Sequence, residues 1–297
     1  MRVLIACDGS AGALVAVALA EAVAWPAGST LRLVSVIEPV ALMAPPPWPS
    51  GGLAAAPALE AQAIAELEAE LAGVVGRLSS PGRDVEGVVL RGRPASVIVD
   101  DARDFGADLV IVGSRGHGTI ATLVLGSVSA EVVDHAPCPV LVARRATLER
   151  ILFATDASPS AAAAQRILVR WPIFDGLPIH VVSVADVVHP WLTGIAPTMY
   201  GPVMDVYAQE LEAAEAEHRR IAEDTATRLR EAGHAIRVEL RSGDAAAEVI
   251  AVAEAWPADL VVLGSRGRTG LARIVLGSVA RNVVHGCSAS VLVVRQG

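Results

Sequence analysis

The stretch Asp108-Leu-Val-Ile-Val-Gly113-Ser-Arg-Gly116, then nine residues, then Gly126-Ser127-Val128-Ser129, decides how this chain folds. It recurs 151 residues later as Asp259-Leu-Val-Val-Leu-Gly264-Ser-Arg-Gly267, nine residues, and Gly277-Ser278-Val279. Between 108–128 and 259–279, 13 of 21 positions are identical, so the chain contains a duplication. Each copy runs from a short apolar segment through a glycine loop into a second apolar segment with helical character. That order reads strand, loop, helix. Two glycines three apart let the backbone turn tightly and approach an anion without a Cβ in the way. The third glycine and its serine fall at a helix start, where unpaired N–H groups and the helix dipole favour negative charge. Ser127 and Ser278 can serve there as helix caps, as phosphate ligands, or as both. The pattern suits a polyphosphate.

Outward from these loops the two halves stay in step. Apolar segments at 2–7 and 150–155 end at Asp8-Gly-Ser10 and Asp156-Ala-Ser158, an offset of 148. Helical segments at 12–25 and 161–171 follow, then strands at 31–37 and 179–185. Proline- and glycine-rich inserts at 39–57 and 187–206 read as excluding regular structure. Their Trp48, Trp191, Met199 and Tyr200 can cover a ligand or pack on the other domain, and both readings stay open. Helices are expected at 59–78 and 206–232, the second with a solvated face carrying Glu215 and Arg219. Third strands at 85–90 and 236–240 end at Gly92 and Gly243, helices start from Ala95 and Ala246, and fifth strands lie at 140–143 and 291–294.

Buried strands alternating with crossover helices imply a parallel, doubly wound α/β sheet, five strands in each of two domains, 1–146 and 147–297. Ligands in such sheets bind beyond the carboxyl ends of strands, where strand order reverses. Asp8, Val36, Gly92 and the Gly113 loop share that edge in the first half. Asp156, Val184, Gly243 and the Gly264 loop share it in the second.

Composition removes several function classes. The 297 residues suffice for two domains with full cores. Hydrophobic residues make up 53% of the chain and mean hydropathy is +0.50, yet no segment is long enough to span a bilayer. Leu4-Ile-Ala-Cys7 superficially matches a lipoprotein cleavage box, but the preceding residues leave no room for a signal region. A cytoplasmic protein is expected. The formal net charge of −8 argues against a nucleic-acid partner. All 24 basic residues are arginine, which excludes both a P-loop and Schiff-base chemistry. Cys7, Cys138 and Cys287 lack metal spacing and read as buried, reduced thiols. The scattered histidines form no zinc pattern, so no metal site built of protein ligands is expected.

These residues resemble the universal stress protein family in a tandem arrangement covering essentially the whole chain. Asp8 and Asp156, the two G-x2-G-x9-G-S loops and Pro137-Cys-Pro139 carry the resemblance; Ser288-Ala-Ser290 replaces the last in the second half. The resemblance implies an adenine nucleotide alpha hydrolase-like fold and, because both glycine loops are intact, the ATP-binding branch. It places Asp8 and Asp156 near the nucleoside and the backbone of Val36 and Val184 against adenine. Gly113, Gly116, Gly126, Ser127, Val128 and Ser129 would hold ribose and phosphates in one site. Gly264, Gly267, Gly277, Ser278 and Val279 would do so in the other, with Ala280 in place of Ser129. Mg²⁺ would arrive with the phosphates, and a homodimer involving the fifth strands is implied.

Residue by residue, alternatives stand beside that reading. Asp8 and Asp156 can instead cap the following helices. Arg115 and Arg266 can pair with phosphate or face solvent. His117, matched by Arg268, carries no catalytic assignment. The expected function is ATP-dependent regulation or sensing in a stress response. A slow ATPase with Asp8 and Asp156 orienting water or metal, and a nucleotide-free interaction scaffold, are the other classes.

Overall fold

A computed structural model describes residues 1–39, 52–114, 116, 125–186, 200–267 and 276–296. Trp48, Trp191, Met199, Arg115, His117 and Arg268 lie outside these described residues, as does most of each proline-rich insert. The chain divides into two compact units, Met1–Leu148 and Glu149–Gly297.

In the first unit, β1 (Arg2–Ala6), β2 (Ser29–Ile37), β3 (Arg83–Arg91), β4 (Leu109–Gly113) and β5 (Val140–Ala143) form parallel pairs in the order β3-β2-β1-β4-β5. In the second, β6 (Ile151–Ala154), β7 (Ile179–Ala185), β8 (Ile236–Ser242), β9 (Leu260–Gly264) and β10 (Ser290–Val294) take the equivalent order β8-β7-β6-β9-β10. β4, β5, β7 and β10 are buried along their whole length. That is why their sequences are rich in Val, Leu and Ile and do not alternate apolar with polar residues. Asp108 and Asp259 tie the strand starts together: their carboxylates accept from the N–H of Arg2 at 2.7 Å and of Arg150 at 3.0 Å.

The crossover helices are α1 (Ala11–Ala22), α2 (Gly52–Leu78), α3 (Pro94–Phe105) and α4 (Ser127–His135) in the first unit. Their counterparts are α5 (Pro159–Arg170), α6 (Tyr200–Glu231), α7 (Ala245–Ala255) and α8 (Ser278–Gly286). Helices α1 and α2 touch each other, as do α3 and α4, so they form the two layers that cover the sheet. Strand order therefore reverses between β1 and β4, and between β6 and β9. This opens a crevice at the carboxyl ends of those strands.

The inserts are shorter than the sequence suggested. Helix α2 starts at Gly52 and runs through Pro57, and α6 starts at Tyr200 and includes Pro202. Proline in a first turn gives up an N–H that has no helical partner there, so Pro202 costs α6 little. Pro57 removes one internal hydrogen bond, and the alanines before it are the strongest helix formers.

Candidate functional site

Asp8 lies two residues beyond β1, and its Oδ1 accepts from the Ser10 N–H at 3.0 Å and from the Ser10 hydroxyl at 2.5 Å. Asp156 repeats the turn, with Oδ1 accepting from the Ser158 N–H at 2.9 Å. The residue bridged by each turn is left-handed: Gly9 at φ +74° and Ala157 at φ +58°. Neither aspartate caps the helix. Ser10 and Ser158 do, each accepting from the N–H three residues on at 3.2 Å. The aspartates instead shape the entry to α1 and α5. Their Oδ2 atoms lie 3.0 and 3.1 Å from where a Cβ would stand on Gly116 and Gly267. The second glycine of each loop is thus the residue that lets the loop pass the carboxylate.

The first glycine of each loop has a different task. A Cβ on Gly113 would lie 2.3 Å from the Gly12 carbonyl carbon, and one on Gly264 would lie 2.7 Å from the Ala161 nitrogen. Both sites press against the first turn of α1 or α5. The absent side chains face the first helical turn, its backbone at Gly113 and both the Ser160 hydroxyl and backbone at Gly264, so these glycines shape the crevice from behind it. Ser129 is buried, and its hydroxyl donates to the Gly113 carbonyl at 2.6 Å. Its hydroxyl acts inside the fold, and its alanine counterpart, Ala280, loses a structural tie.

Gly126 and Gly277 occupy the N-cap positions of α4 and α8, with no side-chain cap bond. Ser127 and Ser278 are the first helical residues and do not cap, a correction to one of the two roles their spacing allowed. Each cap glycine donates its N–H to the serine of its own loop, Gly126 to the Ser114 carbonyl and Gly277 to that of Ser265, both at 2.9 Å. The loop is thereby folded back onto the helix start. Ser127, Ser278 and Val279 are exposed, and Val128 is half-buried. Helix geometry leaves the N–H groups of the first turn without internal acceptors. An exposed, uncapped pair of helix starts results, each able to receive an anion.

The opposite wall is backbone. Cys7 donates its N–H to the Val34 carbonyl and Thr155 to that of Val182. Peptide groups of alternate residues along a strand face the same neighbour. Val36 and Val184 therefore present N–H and C=O toward the space beyond the ends of β1 and β6, where the ladder stops. On the other side of β2, Ile37 already accepts from Gly92, and on β7 Ala185 accepts from Gly243. One donor and one acceptor, side by side at the crevice, can read the edge of a planar heterocycle.

Several neighbours carried no sequence signal of their own. Glu70 of α2 reaches within 3.4 Å of a Cβ position on Gly9. In the second unit the Ser183 hydroxyl donates to the Thr155 carbonyl at 2.7 Å and meets His218 Nδ1 at 2.8 Å. Since the Ser183 proton is committed, His218 donates from Nδ1. Cys7, Cys138 and Cys287 are buried and none forms a disulfide. Burial, with the charges of Asp8 and Glu70, pushes the Cys7 thiol above its ordinary value, with the Gly9 backbone opposing. Cys7 is held as a thiol.

Fold and crevice together define a duplicated, doubly wound α/β protein with an anion-receptive helix start in each half. The sequence pattern of the universal stress protein family matches residues 1–144 and 147–295, and the chain belongs to that family. A universal stress protein of Mycolicibacterium smegmatis is 28% identical over 306 residues, spanning 99% of this chain and 96% of its own. One from Thermus aquaticus is 39% identical over 142 residues, 48% of this chain and 97% of its own length. The crystal structure of a universal stress protein from Archaeoglobus fulgidus shares the fold, with TM-score 0.66 and 18% identity over 100% of this chain and 98% of that one. Among the described residues, no helix is long and apolar enough to cross a membrane.

Proposed function

We propose that each unit binds one adenine nucleotide, ATP with Mg²⁺ carried on its phosphates, and that the chain is a nucleotide-dependent regulator or sensor in the stress response. The observation that carries this reading is the same in both halves: an exposed, uncapped helix start beside a loop that folds back on it. Residues 126–129 and 277–279 would receive the phosphates through backbone N–H groups and the hydroxyls of Ser127 and Ser278. Asp8 and Asp156, beside Gly116 and Gly267, would accept from ribose hydroxyls. Val36 and Val184 would pair through N–H and C=O with the adenine edge. When bound, Mg²⁺ would offset phosphate charge that no lysine is present to balance.

Binding without turnover is the favoured role. Phosphoryl transfer calls for positioned cations and a group that orients the nucleophile, whereas Asp8 and Asp156 are already engaged in the turns after β1 and β6. A nucleotide-free scaffold draws support from Gly113 and Gly264, whose missing Cβ atoms serve packing alone. The exposed Ser127 and Ser278 have no such packing role, and they favour the ligand. The cytoplasm as location and a homodimer as assembly belong to the same proposal. Light scattering that gives one chain mass would refute the dimer.

Titration calorimetry with ATP, ADP and GTP, each with Mg²⁺, tests the reading. Recognition through one backbone donor and one acceptor predicts binding of ATP and weaker binding of GTP, whose edge presents the reverse pattern. Absence of ATP binding, or equal affinity for GTP, would overturn it.

A further inference from the structure

The two crevices differ at the first turn of their leading helices, at a position where the halves differ by one side chain. Ser160 of α5 stands where α1 has Gly12, at the offset of 148 that relates Asp8 to Asp156. Ser160 is buried. Its hydroxyl donates to the Arg266 carbonyl at 2.5 Å and accepts from the Arg266 N–H at 3.2 Å. The Ser158 hydroxyl also reaches the Arg266 carbonyl, at 3.0 Å. From the other side Gly277 lies flat on the loop: a Cβ there would be 3.3 Å from the Ser265 carbonyl oxygen and 3.4 Å from the Arg266 Cα. The middle of the Gly264–Gly267 loop is therefore held between α5 and the start of α8.

Gly12, at the matching place in the first unit, has no hydroxyl with which to make the two bonds of Ser160. The Ser10 hydroxyl donates to Asp8 Oδ1. The exchange also changes the aspartates. Asp8 Oδ1 accepts from both the N–H and the hydroxyl of Ser10, whereas the Ser158 hydroxyl is turned to Arg266, so among these bonds Asp156 Oδ1 takes only the Ser158 N–H. A carboxylate that already accepts fewer donors is the better acceptor for a ligand hydroxyl. Glu70, close to Gly9, adds negative charge beside the first crevice, where a polyphosphate would meet it unfavourably.

We infer that Ser160 is a positioning residue that preorganises the second glycine loop, and that the two nucleotide sites are unequal, with the second the tighter. The inference rests on the nucleotide reading above. A loop already held in place spares the ligand the ordering of its backbone. Ordering one backbone residue corresponds to about a tenfold change in affinity, and that is the difference expected from Ser160. The effect falls mainly on the dissociation rate, as preorganised loops release ligand slowly.

Two variants and two readouts test it in the full chain. Ser160→Gly copies the first unit into the second, and Gly12→Ser does the reverse. Amide hydrogen exchange without nucleotide reports the loop directly: the Arg266 amide is expected to be protected in the parent and to exchange faster in Ser160→Gly. ATP dissociation is then measured with one site silenced by Ser127→Asp or Ser278→Asp. Release from the second site should accelerate about tenfold in Ser160→Gly, and release from the first should slow in Gly12→Ser. Unchanged release in Ser160→Gly overturns the inference, and so does an Arg266 amide that exchanges equally fast in both proteins. If the parent binds no ATP at either site, the nucleotide reading itself fails, while the exchange comparison still reports whether Ser160 holds the loop.

Discussion

Replacing Ser127 and Ser278 by aspartate separates ligand binding from folding, because the structure predicts opposite signs for the two. Both serines are exposed first residues of uncapped helices. A carboxylate there meets the unpaired N–H groups of the first turn and the positive end of the helix dipole, which stabilises an exposed helix by about 0.3–1 kcal/mol. For a unit of this size that raises Tm by about 1–3 °C. The same carboxylate stands where phosphate would bind. Within about 5 Å of a phosphate charge, at an effective dielectric between about 20 and 80, the repulsion is about 1–3 kcal/mol per charge. ATP affinity should fall at least about tenfold at each altered site. The assay is differential scanning calorimetry with and without ATP and Mg²⁺: Tm rises slightly in the absence of ligand, and the ATP-induced rise of the parent disappears. Retention of full ATP affinity in the double variant would refute the assignment of these helix starts. A loss of binding accompanied by a fall in Tm would refute the claim that the serines are free of structural duty.

Three further outcomes follow from the packing. Gly264→Ala places a methyl 2.4 Å from Ser160 Oγ and 2.7 Å from the Ala161 nitrogen, and overpacking of this kind should cost about 1–3 kcal/mol in denaturant unfolding; an unaffected midpoint would contradict the close approach of β9 to α5. Ala157 holds φ at +58° where the first unit has Gly9, so Ala157→Gly should stabilise the protein by about 0.5–1 kcal/mol, and a destabilised variant would contradict it. His180 is fully buried beside Trp256, with Nε2 3.1 Å from Glu239 Oε2 yet making no hydrogen bond. Burial, helped by Arg237, lowers its pKa below the ordinary 6.5 in spite of Glu239. Below pH 6.5 the unfolded chain thus binds a proton that the folded one resists, and stability must fall as pH drops through that value. His180→Leu should flatten the Tm profile between pH 7 and pH 5, and an equally steep profile would remove His180 as the cause.

The duplicated loops, the parallel order and the edge shared by Asp8, Val36 and Gly113 were legible in the sequence because each follows from local rules. Glycine spacing, apolar runs and a repeat offset need no tertiary information. What escaped was decided by neighbours distant in the chain. For Asp8 the sequence left capping open beside a place near the nucleoside; the structure gives the cap to Ser10, two residues on, and leaves the carboxylate facing Gly116. Ser129 looked like a ligand hydroxyl, but the Gly113 carbonyl, 16 residues earlier, claims it. The helices α2 and α6 begin inside the proline-rich inserts because Pro202 falls in a first turn and alanines lead up to Pro57, positional effects that composition does not carry. Ser160 was visible as a difference from Gly12, yet nothing in the sequence placed it on the Arg266 backbone, 106 residues away.

The central claim is that each unit holds an adenine nucleotide. Denaturing the purified chain and separating the released small molecules by chromatography tests it most directly, with ATP and Mg²⁺ added at saturation and the excess removed beforehand. The account predicts approximately two adenine nucleotides per chain, falling to one when either Ser127 or Ser278 is replaced by aspartate. A chain that releases none after saturation contradicts it.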